Sequence, residues 1–306
     1  MKILLAGATG FIGSRLRDAC LASGYPTIVL SRQPRTSDGK RGEFLVSWDG
    51  HTAGEWSRCL GEVDAVINLA GENIVGQRWT RERKNRILSS RINATRTIVD
   101  AIGESRNRPA VLINASATGF YGNVPDGEVT EQGGRGPGFL AEVCRQWEEE
   151  ALRAEKFGVR VVLARLGPVI GEGGGILEKM LLPFRFFMGG PLGSGRQWIP
   201  WVHREDAVRA FLLMLRQTAL TGPVNVTAPQ PVTMEAFCRT LGKIAGRPSW
   251  LSVPSFILRA LMGEMAAIVL EGACATPGKL TGAGFLFQYG TLSSALEAVL
   301  KKTRKT

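Results

Sequence analysis

The sequence predicts an α/β fold: a doubly wound parallel sheet followed by a smaller C-terminal α/β lobe that would hold a substrate. Three observations predict it. A short apolar run at 2–6 leads into glycines at positions 7, 10 and 13 and then into an amphipathic stretch. Over the first two-thirds of the chain, aliphatic runs of strand length alternate with helical stretches. Strands that are apolar along most of their length belong to parallel sheets covered on both faces. After Gly171 the pattern loosens into shorter helices punctuated by Gly173–Gly175, Gly189–Gly195 and Pro229–Pro231. This divides the chain into a dinucleotide-binding domain at 1–171 and a lobe at 172–306, with some segments interleaved.

Lys2 to Ala6 forms the first strand, and Phe11 to Ser23 the helix that follows it. Between them Gly7 permits the tight turn, Gly10 lets the backbone approach a pyrophosphate, and Gly13 lets the helix pack on the strand. The unpaired amides of the helix N-terminus receive the phosphates. Thr9, Phe11 and Ile12 complete this Rossmann-type loop as cofactor-binding candidates. The second strand, Thr27 to Leu30, runs into Ser31 and Arg32, one of which reaches the adenosine ribose. No acid lies between Thr27 and Ser37, and Arg35 adds positive charge. An acid there would hold the 2′-hydroxyl of NAD, whereas arginine attracts the 2′-phosphate of NADP, so NADP(H) is the expected cofactor. Glu43–Ser47, Ala65–Leu69, Val111–Ala115 and Val159–Ala164 supply further strands, and Arg81–Gly103 and Phe139–Phe157 supply helices.

Composition agrees with a globular enzyme-sized protein: 44% hydrophobic and 21% charged residues in 306. Cys20, Cys59, Cys144, Cys238 and Cys274 are scattered without a CxxC pair, which argues for a reducing cytoplasm and against zinc or a disulfide framework. The apolar start is too short and glycine-rich for a signal peptide, and no apolar run approaches the roughly 18 residues of a membrane span. The net charge of +11 gathers at Arg78–Arg91 and Lys301–Lys305. These read either as a solvated helix face and a frayed terminus or as a field attracting an anionic ligand. Without aromatic interleaving they do not read as a nucleic-acid site. The expected partners are NADP(H) and a small-molecule substrate, with the chain a monomer or homodimer.

Several longer strings carry a resemblance. Gly7–Gly13 (GATGFIG), Asp64–Gly71 (DAVINLAG), Asn114–Gly122 (NASATGFYG), Arg165–Gly171 (RLGPVIG) and Trp201–Ala207 (WVHREDA) resemble the extended short-chain dehydrogenase/reductases, the family of nucleotide-sugar epimerases and dehydratases. NLAGENI, FLAEVCRQWE and LLPFRFFMGGPLGSGRQWIPWVH resemble its atypical subgroup of epimerase family proteins of unassigned substrate. The resemblance implies that Asn68, Leu69, Ala70 and Gly71 lie beside the cofactor, with Arg165 and Pro168 on its nicotinamide side and Asp49 near the adenine. It also implies that Ser116 polarises a substrate.

The resemblance fails at the proton relay. The family's Tyr-x-x-x-Lys pair matches Phe139 and Val143, which can neither exchange a proton nor stabilise a phenolate. None of Tyr25, Tyr121 and Tyr289 is followed by lysine four residues on. Ser116 and Tyr121 are then the catalytic candidates, Tyr121 as proton donor or as loop packing. His203 is an acid–base group or a helix start. Arg185, Arg196 and the run 189–195 suggest an anion subsite or surface arginines on a flexible loop, and Phe184, Phe186, Phe187, Met188, Trp198 and Trp201 suggest either an apolar or aromatic substrate or core packing. The readings are an NADP(H)-dependent oxidoreductase acting on a carbonyl, a non-catalytic NADP(H) sensor or assembly factor, and a nucleotide-sugar epimerase.

Overall fold

A computed structural model describes residues 1–32 and 42–303. The Arg35 singled out above and the tail beyond residue 303 lie outside the described residues. Seven parallel strands form one sheet: β1 (Ile3–Ala6), β2 (Thr27–Ser31), β3 (Glu43–Ser47), β4 (Ala65–Asn68), β5 (Val111–Ala117), β7 (Arg160–Leu166) and β11 (Gly222–Val226). Their spatial order is β3-β2-β1-β4-β5-β7-β11. The strand order reverses between β1 and β4. An open α/β sheet binds ligands in the crevice outside the carboxyl ends of the strands at such a point.

Alternate strand residues serve opposite faces. Ile3, Leu5, Val29, Ile67 and Ile113 pack under α1 (Gly13–Ala22) and α5 (Arg204–Arg216). Leu4, Ala6, Ile28, Val66 and Leu112 pack under α2 (Arg81–Glu104) and α3 (Phe139–Leu152). Burying each large aliphatic side chain contributes roughly 1.5–3 kcal/mol, which is why these strands carry almost no polar residue before their carboxyl ends. The helices start at local signals. The Thr80 side chain accepts the Arg83 amide hydrogen at the head of α2, and Thr233 does the same for Ala236 at the head of α6 (Met234–Ala245).

The division at residue 171 is crossed by the sheet itself, since α5 and β11 come from beyond it. The remaining C-terminal elements form two groups. β9 (Trp198–Ile199) pairs antiparallel with β12 (Val232–Thr233), and β8 (Val169–Gly171) pairs with β10 (Val202–His203). With α4 (Gly175–Arg185), α6 and α10 (Leu292–Thr303) they close a second core around Trp201, Phe237 and Leu296. β13 (Ala273–Ala275) joins β6 (Val124–Val129), with α9 (Gly278–Gly282) beyond it, while α7 (Ser255–Met262) and α8 (Ala267–Leu270) lie toward α2 and α3. Among the described residues no helix is long and apolar enough to cross a membrane.

Candidate functional site

The turn after β1 has the shape its glycines require. Gly7 has φ +81°, and a Cβ there would lie 2.7 Å from the Leu69 carbonyl. A Cβ on Gly13 would lie 2.1 Å from the Gly7 oxygen. Gly10 differs: its Cβ would meet only the Gly7 oxygen, at 3.4 Å, and the residue is exposed beside exposed Thr9. Its bare backbone is thus left facing solvent. The first turn of α1 carries no acid and no side-chain cap, so its amide end is free for an anion. Phe11 and Ile12 are half-buried. The Phe11 ring lies under Gly171, Gly174 and Gly175 and 4.8 Å from the Arg204 guanidinium carbon, so these glycines roof the phosphate loop. At the end of β2, Ser31 is half-buried and Arg32 exposed.

Across the switch point Asn68 is fully buried. Its Nδ2 donates to Asn114 Oδ1 at 2.7 Å and to Thr95 Oγ1 at 2.9 Å, and its Oδ1 accepts the Ala70 amide hydrogen at 3.0 Å. Asn68, expected beside the cofactor, therefore shapes the Leu69–Gly71 loop from below. Leu69 and Ala70 are half-buried and Gly71 is exposed. Asp49 has its carboxylate turned into its own loop, accepting from the His51 and Thr52 amides and the Thr52 hydroxyl. The Thr52 hydroxyl above all holds its pKa down at about 2.

Ser116, Tyr121 and Arg165 meet, but inside the protein. Ser116 Oγ donates to Glu148 Oε1 at 2.6 Å. Arg165 donates to the same carboxylate through Nε and Nη2, each at 2.8 Å, and through Nη1 to the Tyr121 hydroxyl at 3.0 Å. The Tyr121 hydroxyl in turn donates to Asn225 Oδ1 at 2.6 Å. Tyr121 is 1% exposed and Ser116 2%. Burial pulls the Arg165 guanidinium down, but its hydrogen bonds and charge pairing with Glu148 outweigh that and hold it above the ordinary arginine value. Burial also pushes the Tyr121 phenol up. The hydroxyls of Ser116 and Tyr121, expected to serve a substrate, thus donate within the protein, and Arg165, expected on the nicotinamide side, is a buried hub beneath Phe120. Pro168 is half-buried and its carbonyl accepts the Val202 amide hydrogen at 3.0 Å, tying β8 to β10.

The positions that should hold the proton relay lie in an apolar cluster. Phe139 meets Trp79 edge-on at 5.1 Å between ring centroids, and buried Val143 packs with Ile87 and Met265. Leu140, Met262 and Ile268 complete this wall. The aromatic run expected to line the substrate divides differently. Phe184 and Trp201 are core, Trp198 donates to the Pro125 carbonyl, and Phe186, Phe187 and Met188 are exposed, as are Arg185 and Arg196. His203 caps α5: its Nδ1 accepts the Glu205 amide hydrogen at 3.2 Å, and its ring lies 3.8 Å from that of Tyr289. The basic segment 78–91 is no merely solvated face. Arg83 is buried against Glu72, Arg78 donates to the Ala260 carbonyl, and Lys84 pairs with Glu264 at 2.6 Å. Sequence reasoning missed Glu148, although its spacing from Ala141, Cys144 and Ala151 puts it on the inward stripe of α3.

The family model described as the NAD dependent epimerase/dehydratase family matches residues 3–226. The chain belongs to that family. A second match, to a domain of unknown function (DUF1731), covers residues 253–299, the stretch from the start of α7 into α10. The chain is 42% identical to the epimerase family protein SDR39U1 homolog of Arabidopsis thaliana, described as chloroplastic, over 98% of this chain and 87% of that one. It is 39% identical to epimerase family protein YfhF of Bacillus subtilis, over the full length of both. The crystal structure of human epimerase family protein SDR39U1 (isoform 2), solved with NADPH, matches with a TM-score of 0.85 at 30% identity over 98% of this chain and 99% of that one. A Bacillus cereus UDP-glucuronic acid 4-epimerase shares the fold, with a TM-score of 0.78 at 20% identity. This member of the family is an NAD(P)-binding Rossmann protein.

Proposed function

We propose that this epimerase-family protein binds NADP(H) in preference to NAD(H) and uses it to reduce a small apolar or aromatic carbonyl compound. Arg32 at the end of β2, with no acid on that strand, supports the choice of cofactor, as does the NADPH in the human relative. Bound at the switch point, NADPH supplies a hydride. Gly7, Gly10 and the amide end of α1 hold the diphosphate, and Leu69–Gly71 flank it. The observation that supports the substrate reading is the apolar cluster of Phe139, Val143, Trp79 and Met265 at the positions matching the family's relay, which favours an apolar acceptor over a sugar. No side chain of the relay offers a proton, so the reduced oxygen takes its proton from water.

The second reading, an NADP(H) sensor or assembly factor without turnover, is favoured by one specific observation: both hydroxyls expected to act are committed internally. A nucleotide-sugar epimerase must take a proton from a sugar hydroxyl and return it, which Phe139 and Val143 cannot do. NADPH oxidation across a panel of quinones, aromatic ketones and enones separates the first two. Turnover of any member supports the reductase. Tight NADPH binding with no turnover transfers the assignment to the sensor.

A further inference from the structure

The sequence of α2 hides a cation among its apolar residues. Arg91 follows Ile87 by one turn and precedes Ala94, Thr95 and Ile98, so it lies on the stripe that faces the sheet and α3. Its guanidinium rests against the bare backbone of Gly71, where a Cβ would come within 3.1 Å of Cζ. It lies 5.2 Å over the Trp147 ring. One of its five N–H donors goes to a protein acceptor among the described residues: Nη1 donates to the Ile87 carbonyl at 2.9 Å. Among the described residues no carboxylate lies within 4 Å of it, while its basic neighbours Arg83, Lys84 and Arg86 all have acidic partners. Burial pulls its pKa below the ordinary arginine value, the mark of a charge short of solvent and of a counter-ion.

The place of this cation gives it a use. The Gly7 turn touches Leu69 and Ala70, the next residue is Gly71, and Arg91 lies on Gly71. The guanidinium is therefore joined to the phosphate loop through the Leu69–Gly71 backbone. A guanidinium with spare, forked donors suits a diphosphate oxygen better than any neutral group in the crevice. We propose that Arg91 is the second anchor of the dinucleotide diphosphate, opposing α1, with the exposed glycine at 71 keeping its approach open. The proposal rests on the reading that NADP(H) occupies the switch point.

The test is titration of wild type, Arg91→Met and Arg91→Lys with NADPH, with 2′-phospho-ADP-ribose, which keeps the diphosphate but lacks nicotinamide, and with adenosine 2′,5′-bisphosphate, which lacks the diphosphate bridge. Arg91→Met should weaken NADPH and 2′-phospho-ADP-ribose by at least about tenfold and leave the bisphosphate within about twofold. Arg91→Lys should recover part of the loss, keeping the charge without the fork. Unchanged NADPH affinity in the methionine variant overturns the proposal. So does an equal loss for all three ligands, which would mean a structural role, and so does a loss confined to NADPH, which would place Arg91 at the nicotinamide. A wild-type protein that binds none of them refutes the underlying cofactor reading as well.

Discussion

Arg165 grips Glu148 by both carboxylate oxygens, Nε to Oε1 and Nη2 to Oε2, inside the molecule between β7 and α3. With Ser116 and Tyr121 attached to the same pair, this hub joins the carboxyl end of β5, the turn after it and α3. It explains why two residues that look catalytic in the sequence are bound into the scaffold.

Removing one partner of a buried ion pair strands the other. Arg165→Met should destabilise the protein by about 3–5 kcal/mol, and the double variant Arg165→Met/Glu148→Met by clearly less. Urea unfolding measures both. A single variant with near wild-type stability would mean that the pair is solvated in solution.

Tyr121→Phe leaves Asn225 Oδ1 without its donor and Arg165 Nη1 without its acceptor. Thermal and urea melts should show a loss of about 1–3 kcal/mol, with NADPH affinity unchanged. Full stability together with lost turnover would restore Tyr121 as a proton donor.

Buried thiols set an alkaline limit. Burial pushes Cys20 and Cys238 up to about 12 and Cys144 up to about 11, against about 8.5 for a thiol in the unfolded chain. With the folded values raised, stability is fully present below about pH 8.5 and falls as pH rises toward the folded values. The slope is up to about 1.4 kcal/mol per pH unit for each thiol. Unfolding under reducing conditions from pH 7 to 10.5 checks this, and Cys20→Ala, although less stable at pH 7, should show the shallower decline. Identical slopes in variant and wild type would show that Cys20 does not contribute.

Restoring the family's relay residues should be unequal. Phe139 is half-buried with Lys84 Nζ 5.0 Å above its ring, so Phe139→Tyr should cost less than about 1 kcal/mol. Val143 is buried against Ile87 and Met265, so Val143→Lys buries an unpaired ammonium and should cost several kcal/mol. Thermal melts decide it. A stable Val143→Lys protein would mean that this wall is open and wet.

The strand–turn–helix at 2–23 was legible because its determinants are local: an apolar run, glycines at fixed spacing, then a helical period. The alternation of strands and helices was legible for the same reason. The hub was not, because its bonds join residues far apart in the chain, 17 positions from Glu148 to Arg165 and 104 from Tyr121 to Asn225. Only the sheet order brings those elements together. Arg91 was hidden in a basic stretch whose net charge suggested solvent, although its spacing from Ile87 and Ile98 marked the inner face.

The most direct test of the account is calorimetric titration of NADPH and NADH into the wild type and Arg32→Ala. NADPH should bind the wild type at least about tenfold more tightly than NADH, a difference of about 1.4 kcal/mol. Arg32→Ala should remove most of that preference by weakening NADPH alone, the outcome expected if exposed Arg32 at the end of β2 meets the 2′-phosphate. Equal wild-type affinities for the two cofactors, or binding of neither, would contradict it.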